Sequence, residues 1–428
     1  MYLNLKHQPN MDNPEDNYEF EFHAQKPEND EKHWWFKVGD ILELKSVWDY
    51  VQEHDLKGDK LKLLETLNKA FHDKQLISYF EEKEKNLNKV LNIFIRVNSG
   101  GAKLSYSDLL MSILTASFSS DIREKMNGLV DALKDKGFPN VGQDQVLKTC
   151  LLLVGSNIEF KLKNFNKPNI KKIEDNWEKI TDSIYNAAKL LENFGYAGYL
   201  GSAYILSSLA YFYFLNSKMD KNDEEQALKF IRNAQITSYF TSSTDTKLNN
   251  IAHSMKGAQT FESFNHNLAK HEKNPLKITN DMIEEMVNYK YSDQVFPILQ
   301  ILYPHLNYKT TTFHIDHIYP KSKFKKNKKL NQDFYGWKDY LFNLQLLEGA
   351  ENIAKKDKDP EVWLKEESKN EQAIEGYKKR NYIDPNLRLE WENIKEFREK
   401  REETIITKLK EVLLPSLHRS VFLADRIK

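Results

Sequence analysis

A chain of 428 residues in which 40% are hydrophobic and 29% charged, with only 15 Gly and 12 Pro, has room for about three domains and the profile of a helix-rich globular protein. Its 63 basic and 63 acidic side chains cancel, so contact with nucleic acid has to come from a local basic surface and not from the overall field. The single cysteine, Cys150, excludes an intramolecular disulfide and a cysteine-ligated zinc knuckle and suits a reducing cytoplasm, and Met1 to Asn10 lacks the apolar run of a secretory signal.

Strand-like alternation opens the chain at Tyr2–Leu5, Tyr18–Phe22 and Trp34–Val38. Between these runs, Asp12 to Lys32 is acidic and broken by Pro14 and Pro27, the pattern of a solvated loop. From about Asp59 the period becomes helical. Leu61, Leu64, Leu67 and Phe71 fall on one face, and Val90, Ile93, Phe94 and Val97 on another. Helix, glycine turn and helix follow at Phe94–Gly101 and Ser105–Leu110, an arrangement that serves as a plain helix corner or presents backbone N–H groups to a phosphate. Further helices are expected near 120–135, 143–155, 169–194, 200–216, 223–240, 279–289 and 293–302, and a charged amphipathic helix at Leu387–Leu414. Asn193 to Ser217 carries no charge over 25 positions, but its glycines and its flanks, Glu192 and Lys218, which form no basic cluster, favour a buried helix over a membrane span.

The chemistry gathers near the C-terminal end. In Phe313-His314-Ile315-Asp316-His317-Ile318-Tyr319-Pro320, an extended backbone puts His314 and Asp316 on one face and His317 on the other, so a bend near His317 is needed to bring Asp316 and His317 to one site. Leu341–Leu347 reads as a short strand with Asn343 at its start, and Gly349–Asp357 as a helix carrying Asn352 and Lys355. Strand, loop, strand and helix is the order of a ββα-metal fold. Asp316 and an amide oxygen are hard donors suited to Mg2+ or Mn2+. His317 is the candidate to take a proton from an attacking water, and Asn343 the candidate to orient its ring. Lys321, Lys323, Lys325, Lys326, Lys328 and Lys329, six lysines in nine positions beside the pair, are candidates for sequence-independent contact with DNA phosphates.

With H-x-D-H-I-x-P at His314–Pro320, N-L-x-L-L at Asn343–Leu347 and N-x-x-K at Asn352–Lys355, the sequence resembles the HNH nuclease superfamily, and more narrowly the C-terminal module of GmrSD-type restriction proteins. The resemblance implies Asp316 and Asn352 as ligands of one metal ion, His317 as general base and Asn343 as its positioner. It leaves His314 and Lys355 as further metal or phosphate contacts. F-x-R-x-N-x-G-G at Phe94–Gly101 is similar to the end of the ParB-like amino-terminal module of the same proteins and implies nucleotide contact at Arg96 and Asn98. The D-G-Q-Q-R signature expected upstream is absent from the sequence, which leaves nucleotide dependence open. The chain then reads as a fragment, as one product of a split gene completed by a second polypeptide, or as an internal start.

The fold expected is mainly α with small β parts: 1–118 as the C-terminal portion of a ParB-like module, 119–290 as a helical domain, and 291–428 as an HNH (ββα-metal) nuclease domain ending in a helix. The function expected is a cytoplasmic, modification-dependent anti-phage DNA endonuclease that acts on DNA, including modified phage DNA, away from membranes. A DNA-binding sensor subunit, inactive without a partner, and an RNA-cutting nuclease are the competing readings.

Overall fold

The structure is a computed structural model that describes residues 1–8, 18–72, 89, 93, 106–158, 164–271, 275–324, 332–368 and 370–414. Arg96, Asn98, Lys325, Lys326, Lys328 and Lys329 lie outside these residues. The described residues are mainly helical with two small antiparallel sheets, and the chain divides into two compact units, Met1–Val97 and Asn98–Lys428.

In the first unit, β1 (Tyr2–Asn4) lies between β2 (Phe20–Glu21) and β3 (Trp35–Lys37), with Leu3 opposite Phe36. Leu3, Leu5, Phe36, Val38 and Ile41 form the core, closed by Val51 of α1 (Val47–Glu53) and by Leu64 and Leu67 of α2 (Asp59–His72). The Ser46 hydroxyl caps α1 by accepting the Asp49 N–H at 3.2 Å. The apolar stripe expected along α2 does not run its full length, because Phe71 is 40% exposed and only Leu64 and Leu67 are buried.

The second unit begins with α3 (Tyr106–Ser117), α4 (Ile122–Asp135), α5 (Gln143–Leu153), α6 (Lys167–Asp175), α7 (Trp177–Asn193) and α8 (Ala203–Asn216). The helix expected over 169–194 is in fact two, meeting at Asn176, which ends α6 and begins α7. The uncharged stretch before Ser217 is a turn followed by a buried helix. Gly195 there has a φ of +79°, and any Cβ would press on the Tyr308 ring at 3.0 Å, so glycine is needed on both counts. Helix α8 packs chiefly on α7 and α5 and is buried along most of its length, and its inward Ser207 accepts from Gln145 Nε2 at 2.6 Å. No helix among the described residues is long and apolar enough to cross a membrane.

Next come α9 (Lys221–Ile236), α10 (Thr244–Met255), α11 (Phe261–His271), α12 (Asn280–Met286) and α13 (Val295–Leu302). Two of these, α10 and α11, are absent from the sequence reading. Helix α10 buries only Leu248, Ile251 and Met255 among its apolar residues, too few to stand out amid Asp, Thr, Lys and Asn. The C-terminal part contains β4 (Phe313–His317), the short α14 (Lys321–Phe324), β5 (Leu344–Glu348), α15 (Gly349–Lys355), α16 (Pro360–Glu367), α17 (Glu371–Arg380) and α18 (Ile394–Leu413). Its core joins Ile318, Tyr319, Phe324, Phe342, Trp363 and Phe397, so α18 belongs to this core despite its charged sequence.

Candidate active site

Strands β4 and β5 pair antiparallel from Phe313 opposite Glu348 to His317 opposite Leu344, and α15 starts at the next residue and packs back on both strands. The register sets Asp316 directly across from Gln345. Gln345 Nε2 donates to Asp316 Oδ2 at 2.9 Å, while Gln345 Oε1 accepts the Tyr377 hydroxyl at 2.6 Å, so the glutamine is held from both ends. From the last turn of α15, Lys355 Nζ lies 2.8 Å from the same Asp316 oxygen and donates to the His317 carbonyl at 2.5 Å. Burial holds the Lys355 ammonium below its ordinary pKa, against the pull of Asp316. His314 lies at the start of α15, where a Cβ on Gly349 would be 3.4 Å from its Nε2.

The bend expected near His317 does not occur. Pairing continues through His317 and into the Ile318 N–H to Asn343 carbonyl bond of 2.7 Å, so alternation sends the Asp316 and His317 side chains to opposite faces. His317 Nε2 lies 3.0 Å from Asp339 Oδ1, and the Tyr291 ring is stacked on the imidazole with centroids 5.7 Å apart at 6°. Lys321 Nζ approaches the same Asp339 oxygen at 3.3 Å. Burial pushes His317 below its ordinary pKa in spite of Asp339, Asp316 adding to the opposing pull, which favours the neutral ring that can accept a proton. Burial alone would raise the Asp339 carboxyl, but its bonds to His317 and Lys321 prevail and leave it below the usual carboxylate value.

Asn343 does not orient the His317 ring. It ends a short turn before β5 and is fully buried. Its Oδ1 accepts the Tyr319 N–H at 2.8 Å, and its Nδ2 donates to the carbonyls of Tyr319 at 3.0 Å and Lys338 at 2.8 Å. Its position just past the paired residues points the amide at the chain leaving β4, so Asn343 shapes the loop, and the carboxylate that meets the His317 ring is that of Asp339. A second fastener is Arg401 of α18, whose guanidinium donates to the carbonyls of Leu341, Phe342, Leu344 and Asn381.

Among the described residues no three His, Cys, Asp or Glu side chains converge as a metal cage. A cation here would rest on Asp316 and the Asn352 amide. Both Lys355 and Gln345 approach Asp316 through Oδ2, and no bond among the described residues reaches Oδ1 or the half-buried Asn352 side chain. A carboxylate oxygen and an amide oxygen are the donor types of a small hard cation that takes water and phosphate for the rest of its shell. Of the lysine cluster, Lys321 and Lys323 are described, on α14, paired with Asp339 and, at 3.0 Å, Asp359.

Asp339, Tyr291, Gln345, Tyr377 and Arg401 escape the sequence reading. Only Gln345 leaves a trace, as a polar residue in an otherwise apolar strand, Leu344–Leu347. Asp339 and Tyr291 are brought together by backbone pairing of 289–291 with 339–341, through Tyr291 N–H to Asp339 O at 2.7 Å and Leu341 N–H to Tyr289 O at 2.9 Å.

Fold and site together define a helical protein with a two-stranded ribbon and following helix that present an acid–histidine sequence. Residues 261–409 match the family described as GmrSD restriction endonucleases, C-terminal domain, and the chain carries a domain of that family. No protein among the curated sequences matches the chain.

Proposed function

We propose that the chain is a metal-dependent DNA endonuclease of the modification-dependent, anti-phage restriction type, with an HNH-like site at Asp316, His317 and Asn352. The observation that carries this reading is the half-buried His317, which follows Asp316 at the end of β4 and is held by Asp339, inside the segment matched to a restriction-endonuclease domain. Asp316 and Asn352 would hold one Mg2+ or Mn2+, which supplies Lewis-acid stabilisation of charge on the phosphate and the leaving oxygen. His317 accepts the proton of the attacking water, Asn343 fixes the loop that follows β4, and Lys321 and Lys323 offer cations to the DNA backbone. His317→Ala, assayed on plain and modified phage DNA with and without Mg2+, is expected to lose about 10²–10⁴-fold in cleavage rate while still binding DNA. Cleavage by that variant at the wild-type rate would refute the mechanism.

A second reading, a DNA-binding sensor subunit silent until a partner acts, is favoured by the Lys355 ammonium that already balances Asp316. Its signature is DNA binding without cleavage under any metal.

A further inference from the structure

The inference rests on the nuclease reading and concerns which nitrogen of His317 acts. We infer that Asp339 is a positioning residue that holds the His317 proton on Nε2 and thereby leaves the Nδ1 lone pair to take the proton of the attacking water.

An ionised carboxylate only accepts, so a bond of 3.0 Å between Asp339 Oδ1 and His317 Nε2 requires the hydrogen on Nε2. The neutral ring then has its lone pair on Nδ1, and no bond among the described residues reaches that nitrogen. Tyr291, nearly parallel to the imidazole, hinders the ring flip that would exchange the two nitrogens. Asp339 and Tyr291 are themselves tied by the backbone bond of 2.7 Å, which sets the carboxylate and the stacked ring on paired, neighbouring stretches of chain. That separates Asp339 from an ordinary surface pairing: its main chain is bonded to the residue whose ring stacks on its partner.

In the reaction, the water oxygen bonds to phosphorus as the ester bond breaks, and the electron pair of that bond stays on the leaving oxygen, which takes a proton from solvent. The water proton passes to Nδ1, and the imidazolium so formed faces the Asp339 carboxylate, which stabilises it. Lys321, at 3.3 Å, draws on the same carboxylate oxygen and is 56% exposed, so a DNA phosphate that attracts Lys321 leaves Asp339 to His317 alone.

The test is the ring-nitrogen NMR spectrum of the full chain labelled with ¹⁵N-histidine, with the His317 signals assigned by their loss in His317→Ala. Nε2 is expected to be protonated and Nδ1 bare. A proton on Nδ1 overturns the inference, and so does an even mixture of the two tautomers. Alongside it, Asp339→Leu is expected to lower kcat about 10²-fold or more with little change in KM, and to release the ring into both tautomers, while Asp339→Glu restores part of kcat. Wild-type kcat in Asp339→Leu overturns the inference. If Asp339→Leu does not fold, the wild-type spectrum alone decides. Wild-type cleavage by His317→Ala would instead sink the nuclease mechanism, a separate outcome.

Discussion

Lys355, 1% exposed, is a charge that the fold takes out of water and sets against one carboxylate oxygen. A buried ion pair adds little net stability against an apolar pair of the same size, but removing one partner leaves the other charge enclosed and unmatched. Lys355→Met is therefore expected to lower the unfolding free energy by about 3–5 kcal/mol, and the double variant Asp316→Leu/Lys355→Met by much less, measured by denaturant titration of the full chain. Equal losses in the two variants would show that Lys355 acts through its bond to the His317 carbonyl and not through Asp316. The motif residues Asp316, His317, Asn343 and Asn352 are legible in sequence because each sits in a short local pattern. The role of Asn343 is not, since an amide partner is chosen by where the chain turns after β4 and not by residue type.

Between elements, Arg401 is the fastener of greatest reach. It is buried, its guanidinium bonds to four backbone carbonyls and, at 3.4 Å, to the Tyr303 hydroxyl, and no carboxylate reaches it among the described residues. Three of those carbonyls, of Leu341, Phe342 and Leu344, flank Asn343, so α18 grips the segment that feeds β5. A lysine keeps the charge but lacks the planar fork that reaches several acceptors at once. Arg401→Lys is expected to destabilise the chain by on the order of 3 kcal/mol and to lower cleavage with it, read from the thermal midpoint beside the cutting rate. An unchanged midpoint would mean that packing by Phe397 and Ile405 alone holds α18. At this scale the sequence is legible where apolar periodicity is dense, as in α4, α5 and α13. It misleads where polar residues dilute the period, as in α10, and where Asn176 divides one expected helix into two.

For the molecule as a whole, equal numbers of acidic and basic side chains mean that attraction to DNA has to be local. Lys321 and Lys323 on α14 are the lysines proposed for it, and each now faces a carboxylate, Asp339 and Asp359. Replacing both with Gln is expected to flatten the dependence of log affinity on log salt by up to about 2, near 0.9 per phosphate contact, without changing any sequence preference. An unaltered slope would remove them from the interface. Asp339, Tyr291, Tyr377 and Arg401 stay hidden from a linear reading because each reaches the ribbon from elsewhere in the chain, and only tertiary pairing selects them. One of these separations bears on biosynthesis: Arg401 lies 57 residues after the Leu344 carbonyl that it binds. A ribosome releases the ribbon well before it releases the clamp, so the nascent chain displays its aspartate and histidine before they are fastened. On the proposed nuclease reading, the ribbon gains its Arg401 clamp only when α18 docks, after nearly all of the described protein has been made.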